Sequence, residues 1–216
     1  IVTQTKDARK LLGLCPQFNI LIKELTVRQH LELFGQIKGA TLESVQLEIQ
    51  TLIDEIQLRE KIDIPAGCLS GGMQRKLSLG IAIVGGSKYI ILDEPSSGVD
   101  VRARTELWDI MSKYGRERTL LVSTHYMDEA EAIGHRIVMI NEGELTCDGT
   151  ISFIKNKFND GYYLNVSLLT AVSDIDQFLQ RRGLTRLYTD NNSLERVYRI
   201  PPYFKEMSNF LEDFER

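Results

Sequence analysis

Apolar residues recur at helical spacing in the first third of the chain. Thr26 and Gln29 have the spacing of a capping box, which predicts that a helix starts there. Its apolar positions are Val27, Leu31 and Phe34. Gly39 is expected to end this helix, and a second helix is predicted from Thr41. The apolar positions of the second helix are Val45, Ile49, Leu52 and Ile56. Between residues 17 and 70, the chain is therefore expected to be mostly helical.

A third helical pattern follows Ser70, a residue type that favours the N-cap position. Its apolar positions, which predict one buried face of an amphipathic helix, are Met73, Leu77, Ile81 and Val84. Gly85-Gly86 is expected to end the helix. Gly71-Gly72 begins it, although glycine is among the poorest helix formers. The pair therefore suggests that bare backbone is needed at the helix start.

The next segments alternate between strand and helix patterns. Short apolar runs without alternation predict buried parallel strands at 89–92 and 119–123. Helices are predicted at 102–114 and 127–133, and Asn141-Glu142-Gly143 between two strand-like runs predicts a hairpin. This order predicts an α/β fold in which helices cover a sheet.

The composition changes after Phe158, where Asn159-Asp160-Gly161 indicates a turn or linker. Strand-like runs follow in "YYLNVSL", "LTRLYT" and "ERVYRI", with helices predicted at 174–182 and 204–214. We therefore expect one domain at 1–158 and a small α+β appendage at 159–216.

Composition excludes some classes of protein. With 216 residues and 43% hydrophobic content the chain can form a packed core, and its net charge of −4 argues against a nucleic-acid partner. No apolar run approaches the roughly 20 residues of a membrane span. The chain begins with Ile1, which suggests a fragment of something longer. Three scattered cysteines, Cys15, Cys68 and Cys147, are expected to be reduced thiols.

Two acids, Asp93 and Glu94, follow the predicted strand at 89–92. Ligands of open α/β sheets bind at the carboxyl ends of the strands. A carboxylate there can hold Mg²⁺, and its neighbour can polarise an attacking water. His125 follows the next strand and could contact a terminal phosphate. Taken singly, the acids could instead cap a turn, His125 could be a surface or core residue, and Gln17 could be a loop amide.

The helix start at Ser70, Gly71 and Gly72 offers unpaired N–H groups and a partial positive charge. Glycines let a phosphate approach this backbone closely, and Ser70 adds a hydroxyl. The pattern indicates an anion site. Close packing of the helix against another backbone would also explain two glycines.

Taken together, the motifs resemble the nucleotide-binding domain of ABC transporters. "LSGGM" at 69–73 resembles the signature motif, "ILDEP" at 91–95 the Walker B motif, "SSGVD" at 96–100 the D-loop, "STH" at 123–125 the switch histidine, and "CPQFN" at 15–19 the Q-loop. Met73 within "LSGGMQRKLSLGIAIVGG", together with "STHYMDEAE", resembles the A subfamily, whose members are often associated with lipids. "GYYL" at 161–164 resembles the start of that subfamily's regulatory domain. Val101 and Ser96 depart from the usual proline and threonine, but neither removes a chemical group from the site.

The resemblance implies ATP and Mg²⁺ as cofactors and a role for each motif residue. Glu94 would be the general base or orient the water, and His125 would sense the γ-phosphate. Asp93 and Gln17 would serve Mg²⁺. Ser70, Gly71 and Gly72 would contact ATP bound by a second nucleotide-binding domain, packed head to tail, and Asp100 would couple the two sites.

No glycine begins the P-loop pattern G-x-x-x-x-G-K-[ST]. In the family this motif lies upstream of the Q-loop, so it is expected before Ile1, together with the first strands. The chain would then be a partial P-loop NTPase core with poor stability on its own. Its helical subdomain, about 24–85, would contact transmembrane domains of the same polypeptide with the Q-loop, at the cytosolic face of a membrane.

Three alternatives remain. A non-transporter ABC ATPase of the DNA-repair or ribosome-acting kind would need very long coiled coils or a more basic composition, respectively. A module that binds ATP without hydrolysing it would not need both Glu94 and His125. The isolated chain could also be inert, since it lacks the main phosphate cradle.

Overall fold

The computed structural model of the chain describes residues 5–158, 161–167, 174–187 and 195–201. These residues belong to two compact units, Ile1–Ile137 and Val138–Arg216. The sequence places its domain boundary later, after residue 158, and that boundary stays a prediction.

A three-stranded parallel sheet forms the centre of the first unit. Its order is β1 (Leu12–Cys15), β2 (Tyr89–Asp93) and β3 (Thr119–Ser123), with β2 between the other two. The predicted parallel strands and the α/β class are thus confirmed. Ile90 and Leu92 of β2 are buried, but Tyr89 is exposed. Helix α1 (Thr5–Lys10) and β1 were not predicted, because both are too short to show a clear periodicity.

Helices α2 (Val27–Ile37) and α3 (Leu42–Glu55) precede two 3₁₀ turns, Arg59–Lys61 and Ala66–Cys68. The predicted capping box is present before α2: the Thr26 hydroxyl accepts from the Gln29 backbone, and the Gln29 side chain accepts from the Thr26 backbone. Gly39, which was expected to end this helix, lies two residues after Ile37 and has φ of +96°, a conformation that favours glycine.

Helix α4 (Gly71–Ile83) is buried on all sides from Arg75 onwards rather than on one face, so the predicted amphipathic pattern is wrong. Every residue from 75 to 84 is buried, polar positions included. The cause is tight packing: a Cβ on Gly13 of β1 would lie 1.9 Å from the Ala82 carbonyl oxygen. The strand can approach the helix this closely only with glycine at that position.

Helices α5 (Val101–Tyr114) and α6 (Met127–Ile133) complete the first unit, at the predicted places. One hydrophobic cluster runs from α2 and α3 across α4 to β2 and α5. Its most deeply buried large side chains include Leu31, Ile49, Leu77, Ile90 and Leu107. The sheet and the helical segment therefore share a single core.

The second unit begins within β4 (Ile137–Asn141), which pairs with β5 (Glu144–Gly149) in a hairpin, and α7 (Ile151–Phe158) follows. Positive φ at Glu142 and Gly143 makes the predicted hairpin turn. A second sheet has the order β6 (Tyr162–Ser167), β8 (Glu195–Ile200), β7 (Thr185–Arg186), and α8 (Asp174–Arg181) follows β6 in the chain. These α+β elements were predicted, whereas α7 was not. The helix predicted at 204–214 and the turn residues 159–160 lie outside the described residues.

None of the described helices is long and apolar enough to cross a bilayer.

Candidate nucleotide site

Three polar segments come together where the parallel strands end. Gln17 follows β1, Asp93 is the last residue of β2, and His125 follows β3. The register places Asp93 beside Ser123, the last residue of β3. The residues predicted to act in catalysis and metal binding thus lie at one edge of the sheet, where open α/β sheets bind ligands.

Glu94 connects these segments. Its Oε2 accepts a hydrogen bond from Gln17 Nε2 at 3.1 Å, and its Oε1 lies 3.2 Å from His125 Nδ1. Its backbone N–H donates to the carbonyl oxygen of Ser123 at 3.0 Å and to Ser123 Oγ at 3.1 Å. Glu94 has φ of +43°, a region that non-glycine residues seldom occupy and that clusters at functional sites. The carboxylate is therefore held between an amide and an imidazole, where it could hold or accept a proton.

Asp93 is exposed, and its Oδ1 accepts a hydrogen bond of 2.5 Å from Ser123 Oγ. Mg²⁺ in nucleotide sites takes one or two carboxylates and completes its octahedron with phosphate and water oxygens. Asp93, with the amide oxygen of Gln17, supplies ligands of this type. Within the described residues, no group of three or more His, Cys, Asp or Glu side chains could hold a metal ion. A bound Mg²⁺ would thus need nucleotide and water oxygens besides these two residues.

Arg75, on α4, joins the Q-loop segment to the turn after β2. Its side chain is 3% exposed and donates six hydrogen bonds. The acceptors are the carbonyl oxygens of Pro16 (2.6 Å), Gln17 (3.1 Å), Asp93 (2.9 Å), Glu94 (2.9 Å) and Pro95 (2.6 Å), and Asn19 Oδ1 (3.4 Å). One buried guanidinium thereby fixes the backbone on both sides of the Gln17–Glu94 contact. Residue types alone do not indicate this role, because five of the six acceptors are backbone carbonyl groups, up to 59 residues away.

The predicted anion site lies at the start of α4. Ser70 and Gly71 are exposed, and Ser70 Oγ caps the helix by accepting from the Met73 N–H at 3.3 Å. A Cβ on Gly71 would meet no atom within 4 Å, whereas a Cβ on Gly72 would lie 2.9 Å from Ala103 Cβ. The two explanations considered for the glycine pair therefore apply to different residues. Gly71 leaves the backbone open, and Gly72 permits close packing against α5.

Asp100 lies beside this helix start. It is the N-cap of α5, and its Oδ1 accepts from the Ala103 N–H at 3.0 Å. This hydrogen bond holds the pKa of Asp100 below its usual range. A Cβ on Gly72 would lie 4.0 Å from Asp100 Oδ2. The signature and D-loop motifs are thus neighbours in the fold.

The predicted site residues form two groups. Gln17, Asp93, Glu94 and His125 make one, and Ser70, Gly71, Gly72 and Asp100 make the other. Neither group lines either of two clefts found among the described residues. A cleft of about 540 Å³ adjoins Lys88 and Arg118, and one of about 420 Å³ adjoins Phe178. The exposed residues of the two groups are Gln17, Ser70, Gly71, Asp93, Asp100 and His125.

Comparison with known proteins identifies the class. Residues 2–97 match the family described as ABC transporter. The retinal-specific phospholipid-transporting ATPase ABCA4 of Mus musculus is 48% identical over 183 residues, which are 85% of this chain and 8% of that protein. ABC transporter A family member 2 of Dictyostelium discoideum is 38% identical over 228 residues, covering 99% of this chain and 14% of that protein. The phospholipid-transporting ATPase ABCA3 of Mus musculus is 44% identical over 73% of this chain and 9% of its own length.

Solved structures agree on the fold. An ATP-binding subunit of an ABC transporter superposes with a TM-score of 0.63 at 23% identity, covering 83% of this chain and 71% of that one. The dimeric structure of a bacterial ABC transporter cassette gives a TM-score of 0.60, also at 23% identity, covering 68% of this chain and 66% of its own.

The chain belongs to the ABC transporter family. Its relatives place it in the A subfamily. It spans less than a sixth of the length of these relatives.

Proposed function

We propose that this chain hydrolyses ATP to power transport, as part of the nucleotide-binding domain of an A-subfamily transporter. The observation that carries the proposal is the contact of Glu94 with both Gln17 and His125 at the carboxyl ends of the strands. A carboxylate held in this way has the geometry of a general base, a role that contributes about 10²- to 10⁴-fold to a rate.

The residues around Glu94 have distinct tasks. Glu94 orients the attacking water and accepts its proton, and Gln17 keeps the Glu94 carboxylate in place. His125 approaches the terminal phosphate from the other side of Glu94. Asp93 and Gln17 would hold Mg²⁺, which neutralises phosphate charge when bound. Arg75 keeps the two chain segments in register.

The second group acts on a different nucleotide. Ser70, Gly71 and Gly72 contact the triphosphate bound by a second nucleotide-binding domain, and Asp100 couples the two sites. The exposed N-terminus of α4 and the open space around Gly71 support this assignment. One structural relative is a dimeric cassette.

Transport of lipid and the site of action are also proposals. Two relatives are named as phospholipid-transporting ATPases, which supports lipid as the cargo. Exposed apolar side chains follow Gln17: Phe18 is 78% exposed and Ile20 is 72% exposed. They support contact with transmembrane domains at the cytosolic face of a membrane. The net charge of −4 argues against a nucleic-acid partner.

The test is Glu94→Gln in an ATPase assembled from this chain and a segment that supplies a P-loop. We expect turnover to fall by about 100-fold or more while ATP affinity stays unchanged, because the amide keeps the shape but cannot accept the proton. Glu117→Gln, an exposed acid elsewhere in the unit, is the control. Unchanged turnover in Glu94→Gln would refute the role of Glu94. An assembly that binds ATP with no turnover even as the wild type would favour the alternative of a binding module.

A further inference from the structure

Two helices that begin beside the proposed site are joined by a pair of contacts. Arg104 on α5 places its guanidinium 4.3 Å from the ring centroid of Tyr126. Trp108, one turn further along α5, donates from Nε1 to Glu129 Oε1 at 3.0 Å. We call these four residues, Arg104, Trp108, Tyr126 and Glu129, the α5–α6 clamp.

The clamp reaches both groups of site residues. Asp100 caps the start of α5, four residues before Arg104. At the other side, the ring of His125 lies 4.1 Å from the ring of Tyr126, centroid to centroid. The contacts therefore form a continuous path from the D-loop residue to the residue against Glu94.

The burial of Glu129 in this path is expected to lower the stability of the fold. Glu129 is 0% exposed, and its Oε2 has no hydrogen-bond partner among the described residues. A buried carboxylate that is only half satisfied is expected to destabilise the fold relative to an apolar side chain of similar size. Arg104 Nε, at the same helix contact, is also buried and has no hydrogen-bond partner within the part of the chain that the structure describes. Stability alone does not explain an acid at this position.

We propose that the α5–α6 clamp couples the position of His125 to that of Asp100, with Glu129 as the positioning residue. The proposal rests on the proposed function, because it assigns the coupling to a nucleotide site. When Trp108 holds Glu129, the start of α6 and the His125 ring keep one distance from α5. Movement of the D-loop would then shift the His125 ring, and movement of His125 would shift the D-loop.

The nucleotide-free chain allows a test that does not depend on ATP hydrolysis. Trp108 is the only tryptophan in the sequence, so its fluorescence reports on the hydrogen bond to Glu129. The imidazole C–H resonances of His125, assigned by NMR with His125→Asn, report on the ring packed against Tyr126. We expect Glu129→Leu to change the Trp108 emission and shift the His125 resonances. Glu129→Gln keeps an acceptor for the indole and should restore both. Asp128→Leu, an exposed acid on the same helix, should move neither.

Trp108→Phe provides an independent variant, because it keeps an aromatic side chain but removes the N–H donor. It should shift the His125 resonances in the same direction as Glu129→Leu, and it decides the matter if Glu129→Leu fails to fold. If neither variant moves the His125 resonances, the clamp is only structural and the proposal is wrong. In the P-loop-containing assembly, Glu129→Leu should lower turnover several-fold at unchanged ATP affinity. Absence of turnover in the wild type would contradict the proposed function and leave the NMR result standing.

Discussion

At the N-terminal end of α4 the backbone of Ser70 and Gly71 is exposed, whereas at its C-terminal end the last carbonyl groups are buried and hydrogen-bonded. The first end has one side-chain cap, the Ser70 hydroxyl. The second end has several partners from elements far apart in the chain. The same helix thus has a single side-chain cap at its exposed end and several side-chain donors on its last carbonyl groups.

Lys38, just after α2, supplies most of the contacts at the buried end. Its Nζ lies 2.8 Å from the Ile81 oxygen, 2.9 Å from the Ala82 oxygen, 2.8 Å from the Val84 oxygen and 2.9 Å from Ser87 Oγ. Arg118 donates to the Ile83 oxygen at 2.8 Å, and Glu48 accepts from the Gly85 N–H at 2.8 Å. Cations at a helix C-terminus also favour the helix dipole.

The difference shows how one helix can both be rigid and present bare backbone. A helix end left without partners normally frays. Here Lys38 fixes the opposite end, and the hydrogen bonds of Arg75 hold the helix one turn after Gly71, so Ser70 and Gly71 can stay open without loss of position. We infer that the contacts at the buried end of α4 hold the helix in place, and that this keeps the exposed backbone of Ser70 and Gly71 in a fixed position.

The largest expected effect is at Arg75, which joins α4 to the segment after β1 and to the turn after β2. Arg75→Met would leave five buried or partly buried carbonyl oxygens without their donor, and we expect the free energy of unfolding to fall by about 3 kcal/mol or more. Denaturant unfolding measures this, with exposed Arg116→Met as the control. A loss below about 1 kcal/mol would show that the loops hold themselves without Arg75.

Lys38→Met tests the buried end alone. It removes one charged donor from four acceptors, so we expect a loss of about 2 kcal/mol in the free energy of unfolding at pH 7. Exposed Lys88→Met is the matched control and should change this free energy by less than about 0.5 kcal/mol. Equal effects of the two variants would contradict a fixed C-terminal end.

The cost of Lys38→Met in unfolding free energy should also depend on pH, with a definite sign. Burial lowers the pKa of Lys38 to about 8. The negative charge of Glu48 opposes this shift, and the positive charge of Arg118 adds to it. Between about pH 8 and 10, the unfolded chain still holds a proton that the folded chain has released. The unfolding free energy of the wild type therefore rises relative to Lys38→Met, by up to about 1.4 kcal/mol per pH unit. A cost of Lys38→Met that stays constant from pH 7.5 to 9.5 would contradict the lowered pKa.

The sequence predicts those parts of α4 that depend on neighbours along the chain. Ser70 as N-cap and Gly85-Gly86 as terminator are local signals, and both hold in the structure. The burial of α4 on all sides is not local. It follows from Gly13 and Lys38, whose contacts with α4 span more than 40 residues of sequence.

The candidate site shows the same limit. The motif residues were placed by their resemblance to a family, and the strand ends bring Gln17, Glu94 and His125 together as that resemblance implies. The sequence does not reveal the role of Arg75, because a buried arginine that binds backbone carbonyls has no partner that can be recognised by residue type. Nor does it reveal the α5–α6 clamp, whose contacts depend on how the two helices pack. Only the fold shows which carbonyl groups lie within its reach.

The smallest effect separates the two glycines at the exposed end. Gly72→Ala would bring its Cβ to 2.9 Å from Ala103 Cβ, so we expect a loss of about 1 to 2 kcal/mol in the free energy of unfolding. Gly71→Ala meets nothing within 4 Å and should be neutral or stabilising by up to about 1 kcal/mol, because alanine favours helix. In the P-loop-containing assembly, however, Gly71→Ala should lower turnover, since its methyl group stands where the partner's phosphate would approach. Thermal unfolding and ATPase assays of the pair measure both effects. If Gly71→Ala left turnover intact, the open backbone at this helix end would have no part in binding nucleotide.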